Sequence, residues 1–160
     1  MTGYSFVTRW RAAAPAERVW DAIIRSDEWP QWWRAVTRVQ VLAPGDPQTG
    51  IGRDIRLTWR TQLPYGFTFD VKAVRIEPYQ LLEGQARGDL EGMGLWTLTR
   101  DGDGTLVQYD WNVRTNKGWM NALAPLLRPA FAYNHNVVMR WGKEGLAKRL
   151  GVRVTEVSEG

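Results

Sequence analysis

The sequence predicts an α+β domain: a curved antiparallel sheet of about seven strands wrapped around a long C-terminal helix, with short helices after the first strand. Three observations predict it. Apolar residues alternate with polar ones from Tyr4 to Arg11, and the same period of two returns in successive short runs between Val36 and Val113. The runs are separated by turn residues, so neighbours in sequence pair as an antiparallel meander. From Pro129 to Leu150 the period changes, with Phe131, Val138, Trp141, Gly145 and Arg149 at steps of three, four and seven. A sheet of this size has an apolar face to cover, and only the terminal helix is large enough to cover it.

Each element has its own signal. Tyr4, Phe6, Thr8 and Trp10 lie on one face of the first strand. Ala14-Pro15-Ala16-Glu17 opens a helix, with Pro15 suited to its first turn and Val19, Trp20, Ile23 and Ile24 forming its apolar stripe. Ser26, Asp27 and Pro30 end it, and Trp29, Trp32 and Trp33 follow. Val39 and Val41 lead to the turn Pro44-Gly45-Asp46-Pro47, after which Ile55, Leu57 and Trp59 share a face. Beyond the turn Pro64-Tyr65-Gly66, Phe67, Phe69, Val71 and Ala73 share another. Leu81 to Leu90 carries Gly84, Ala86 and Gly88 on one side. Asp101-Gly102-Asp103-Gly104 joins the last two long strands as a hairpin turn, and Val107, Tyr109, Trp111 and Val113 share the final face. Asn116 suits the N-cap of a short helix, Pro129 predicts a kink or restart, and Gly151 is a natural stop.

The 160 residues suit one domain spanning 1–160. Ten tryptophans must be housed in a deep core, a cavity or a contact surface. There is no cysteine, which excludes disulfides and thiolate chemistry and fits a reducing compartment. No signal peptide and no apolar run of spanning length is visible, so the expectation is a soluble, cytoplasmic protein without a transmembrane segment. The net charge is +4, but Lys and Arg are scattered, and the densest group (Lys143, Lys148, Arg149, Arg153) suits a helix C-terminus.

Several motifs are excluded by their own details. Asp101-Gly102-Asp103-Gly104-Thr105 begins like a calcium loop, yet Leu106 stands where that loop needs glycine and Asn112 where it needs an acid. Tyr65-Gly66-Phe67-Thr68-Phe69-Asp70-Val71 lacks the basic first residue of an RNA-binding strand and carries Asp70 inside it, so no nucleic-acid partner is expected. One histidine and no cysteine leave no ordinary zinc set, and neither a metal nor a cofactor is expected.

The landmarks Ala14-Pro15-Ala16-Glu17-Arg18-Val19-Trp20-Asp21, Trp29-Pro30-Gln31-Trp32-Trp33, Gly50, Gly52, Gly84 and Gly88, and Asn134-His135-Asn136-Val137-Val138-Met139-Arg140-Trp141-Gly142 run in order along nearly the whole chain. In this the sequence resembles the polyketide cyclase/dehydrase-like branch of the START and birch-pollen-allergen superfamily. The resemblance implies a helix-grip fold with a cavity between sheet and terminal helix. It implies a hydrophobic ligand, such as a lipid, sterol, polyketide or quinone, and in a few members cyclisation or dehydration. It carries no shared catalytic motif.

The expected pocket lining is Trp59, Phe67, Phe69, Trp96, Tyr109 and Trp111 on the strands and Phe131, Asn134, His135 and Val138 on the helix. His135 and Tyr109 are the candidate catalytic groups, one as an acid/base near neutrality and one as a hydroxyl donor. For His135 a structural role stands beside the catalytic one, and for the rings a filled core stands beside a pocket. Three functions therefore stay open: a non-catalytic binding or transport module, which is preferred; a cyclase/aromatase-type enzyme using the same cavity; and a module docking transiently on a membrane or protein through Trp29, Trp32 and Trp33.

Overall fold

The computed structural model describes residues 3–64 and 66–157. Tyr65, at the centre of one expected turn, lies outside the described residues. The elements are β1 (Gly3–Ala12), α1 (Ala16–Ile24), a single 3₁₀ turn (Ser26–Glu28), α2 (Trp29–Trp32), β2 (Val36–Ala43), β3 (Asp54–Trp59), β4 (Phe67–Glu77), β5 (Leu81–Gly88), β6 (Leu90–Asp101), β7 (Gly104–Thr115), α3 (Gly118–Ala122), α4 (Ala124–Leu150) and β8 (Val154–Glu156). This is the helix-grip arrangement, with one more strand than the pattern suggested.

The sheet runs in the order β2-β3-β4-β5-β6-β7-β1-β8, and the neighbours pair antiparallel. β2 through β7 is the expected meander, and β1 closes onto β7 with Trp10 opposite Val107 and Phe6 opposite Trp111. β8 extends the far edge by three residues opposite Trp10, Arg11 and Ala12. Facing residues alternate burial along β3 and β7, as a half-covered sheet requires. The outer face carries ion pairs across strands, including Arg56 with Asp70 at 2.8 Å and Arg87 with Asp54.

Two expectations about the helices are corrected. Asn116 caps nothing: its side-chain amide donates to the Gly88 carbonyl, and Lys117 occupies the N-cap of α3. Helix α4 does not restart at Pro129 but runs through it from Ala124. Proline removes one N–H there, the one that would reach the carbonyl of exposed Pro125, where water can take its place. Gly151 ends the helix as expected, at φ 65°, a left-handed conformation that suits glycine.

The concave face of the sheet has two covers rather than one. The first half of α4 lies over one end, where Phe131 stacks on Tyr4 at 4.4 Å and His135 on Phe6 at 4.1 Å. Over β3–β6 the cover is α1, the 3₁₀ turn, the start of α2 and the 44–53 loop. Trp29, Trp32 and Trp33 are all buried, and so present no indole to a membrane or partner. They pin α2 between the two covers: the Trp33 indole N–H donates to the Val138 carbonyl at 2.8 Å and that of Trp29 to Ile23 at 3.2 Å. Among the described residues, no helix is long and apolar enough to cross a membrane.

Candidate functional site

A cleft of about 700 Å³ opens beside α1 and the end of α4, and between the sheet and its covers lie two voids of very different size. The larger, about 480 Å³, lies over β3–β7 and under α1, the 3₁₀ turn and the 44–53 loop. That volume falls within the range of small-molecule sites. Its floor is buried and aromatic: Trp59, Phe69, Trp96, Tyr109 and Trp111, with Ile55 and Leu57. Its sides are half-buried Ile24, Val71, Ile76 and Leu82, and its exposed rim is polar and proline-rich, including Arg25, Asp27, Asp46, Pro47 and Thr49.

The floor follows from strand register. Trp96 lies opposite Tyr109, and their rings stack at 4.2 Å. Gly84 lies opposite Gly94, and Gly94 opposite Trp111. A Cβ at Gly94 would come within 2.8 Å of the Tyr109 hydroxyl oxygen and 3.0 Å of the Trp111 ring. The absent side chain is what lets both rings lie flat on the sheet and leaves space above them.

Polar groups in this cavity are few. The buried hydroxyls of Ser26 and Tyr109 form no side-chain hydrogen bond among the described residues. Burial pushes the Tyr109 hydroxyl well above the ordinary tyrosine value, so it stays protonated and can donate. At the rim, Arg53 reaches across to Asp27 at 3.3 Å and ties the 44–53 loop to the 3₁₀ turn. The Arg53 Nε is buried without a partner.

The smaller void measures about 30 Å³, the space of about one water molecule and too small for an organic ring. Tyr4, Phe67, Phe131, Asn134, His135 and Val138 line it, and Trp59 and Trp111 border both voids. These two indoles, 5.4 Å apart between ring centroids, form the wall between the compartments. Asn134 accepts a hydrogen bond from the Thr61 hydroxyl and so ties α4 to the segment that directly follows β3. His135 is buried with Nε2 unpartnered, and burial holds its imidazole down at about 4, so it is neutral at pH 7.

The ten expected lining residues are thus divided. Trp59, Phe69, Trp96, Tyr109 and Trp111 face the large cavity, while Phe67, Phe131, Asn134, His135 and Val138 face the small void beneath α4. The two candidate catalytic groups, Tyr109 and His135, line different compartments. The cover over the large cavity, Ile24, Ser26, Asp27 and Arg53, had no place in the expected lining. Its one sequence signal is the Pro and Gly density of the 44–52 stretch, which marks a loop without saying where the loop lies.

Comparison with known proteins agrees with this architecture. None of the curated proteins searched matches the chain. The fold is similar to the ZhuI aromatase/cyclase of Streptomyces sp. R1128, with a TM-score of 0.76 at 13% identity over 94% of both chains. It is similar to the di-domain ARO/CYC StfQ of the steffimycin biosynthetic pathway, with a TM-score of 0.68 at 16% identity, covering 94% of this chain and 52% of that one. It is also similar to a norcoclaurine synthase of Thalictrum flavum solved with a transition-state analogue, with a TM-score of 0.58 at 13% identity, covering 87% of this chain and 96% of that one. At such identities these likenesses concern the fold. The sequence itself matches one family model, polyketide cyclase/dehydrase and lipid transport, over residues 5–151. With nearly the whole chain inside that match and a ring-floored cavity in the grip, this protein belongs to the polyketide cyclase/dehydrase and lipid transport family.

Proposed function

We propose that this chain binds and carries a flat hydrophobic small molecule, of lipid, quinone or polyketide-like type, in the large cavity without transforming it. The observation that carries the reading is the cavity of about 480 Å³ with an aromatic floor and the unpaired Tyr109 hydroxyl upon it. Stacked indole and phenol faces favour a flat apolar guest. The Tyr109 hydroxyl can donate to one oxygen of that guest and set its orientation.

Carriage is favoured over turnover by where the titratable groups lie. The one histidine lines the other void, and of the charged cavity residues, Arg25, Asp27 and Asp46 sit at the exposed rim while half-buried Arg53 is paired with Asp27. A second reading draws on the family: cyclisation or dehydration of a polyketide-like chain in the same cavity, with protonated Tyr109 as the donor.

Native mass spectrometry of the purified protein tests for a guest that co-purifies. Titration with anthraquinone, read by quenching of the cavity tryptophans, tests the site directly. Tyr109→Phe is expected to weaken quenching by a few-fold, the worth of about one hydrogen bond. Leu82→Trp is expected to fill the cavity and abolish quenching while the fold persists. Equal quenching in the wild type and Leu82→Trp would sink the site. Turnover of a polyketide-like chain that disappears in Tyr109→Phe would establish the second reading instead.

A further inference from the structure

Two buried hydroxyls meet the large cavity from opposite walls. Tyr109 lies in its floor, on β7, and Ser26 in its cover, as the first residue of the 3₁₀ turn. Ser26 is 7% exposed and Tyr109 6%. Neither lines the void beneath α4 or the cleft beside α1. The bare backbone of Gly94 gives the Tyr109 hydroxyl its room.

Ser26 has no structural reason to be polar. A serine at the start of a helical turn ordinarily caps it, by accepting a hydrogen bond from a backbone N–H. Here Arg25 holds the N-cap position, and no side chain caps the turn. The Ser26 hydroxyl forms no side-chain hydrogen bond among the described residues. Ile24 and Trp29 flank it in the cover. A hydroxyl taken out of water without a partner destabilises a fold, and alanine would fill the same place without that cost. The charged lining residues are engaged elsewhere: Asp27 and Asp46 stand at the exposed rim, Arg25 pairs with Asp21 and Arg53 with Asp27.

We propose, resting on the cavity reading above, that Ser26 is a second specificity-determining hydroxyl and that the guest is a flat ring system with two oxygens set apart on its edge, as in a para-quinone or its hydroquinone. The Ser26 and Tyr109 hydroxyls are not bonded to each other, so each is free to serve its own oxygen. A hydroxyl both donates and accepts, so the pair suits the carbonyls of the quinone and the O–H groups of the hydroquinone alike. A lipid with one polar head would leave one of the two unpaired in an apolar site, which selects against it.

Four tricyclic probes in deoxygenated buffer, read by tryptophan quenching, test it. Anthracene has no oxygen, anthrone one, anthraquinone two on opposite edges and phenanthrenequinone two side by side. The wild type is expected to bind anthraquinone about threefold to tenfold more tightly than anthrone, the worth of one hydrogen bond, and more tightly than phenanthrenequinone. Ser26→Ala removes an oxygen that bonds nothing within the protein, so its melting curve is expected to match the wild type. It is expected to bring anthraquinone down to the affinity of anthrone while leaving anthrone and anthracene nearly unchanged. Equal binding of anthraquinone and anthrone by the wild type overturns the proposal. So does undiminished anthraquinone binding by Ser26→Ala, and where Leu82→Trp still abolishes quenching the cavity reading survives that result. Quenching by all four probes that persists in Leu82→Trp overturns the cavity reading and this proposal with it.

Discussion

His135 stacks on Phe6 at an interplanar angle of 12° and offers Nε2 to no partner. Its imidazole titrates near 4 in the folded chain, against about 6.5 when unfolded, because burial disfavours the cation. Between those values the unfolded chain binds a proton that the folded chain does not. Stability contributed by the neutral ring is therefore complete above about pH 6.5 and is lost as pH falls toward 4. The whole effect is up to about 3 kcal/mol. Urea unfolding at pH 7.5 and pH 5 is expected to show a smaller loss in His135→Phe than in the wild type. That Phe131, His135 and Val138 lie along α4 toward the core was legible from helical spacing. Which void they would face was not, because that depends on the angle between α4 and the sheet and on the size of the rings opposite.

At the level of elements, that angle is held by a notch. Gly142 and Gly145 lie where α2 crosses α4: a Cβ at Gly142 would meet the Trp33 indole at 2.9 Å, and one at Gly145 would strike the Trp32 carbonyl oxygen. The second contact is with backbone, which cannot rotate away. Gly145→Ala is expected to destabilise the fold by about 3 kcal/mol, measurable by thermal melting, despite the better helix propensity of alanine. The strands and helices themselves were legible because their signals are local and repeat within each element. The three residues of β8 hold no repeat to read. Asn116 read as a cap because the sequence does not show that the Gly88 carbonyl lies within its reach. The glycine notch, the Arg53–Asp27 contact and the two-part cover join residues distant in sequence, and no local pattern announces them.

The molecule as a whole is a bowl with two lids, one of them latched by a single exposed ion pair. Such a pair contributes little to global stability, about 0–1 kcal/mol. Asp27→Asn is expected to leave the melting temperature nearly unchanged, yet to speed release of bound anthraquinone in stopped-flow fluorescence, since it frees the loop over the mouth. Deeper in, Trp59 and Trp111 do more than fill space. They close the inner end of the cavity, and for the guest proposed above they would act as a gauge of length. Removing one of them, as in Trp111→Ala, would merge both compartments beneath the sheet's curve and admit a longer molecule. On this view the size of guest that the protein accepts is written in one pair of rings, and a relative could change its preference by altering that pair while leaving the mouth and the latch as they are.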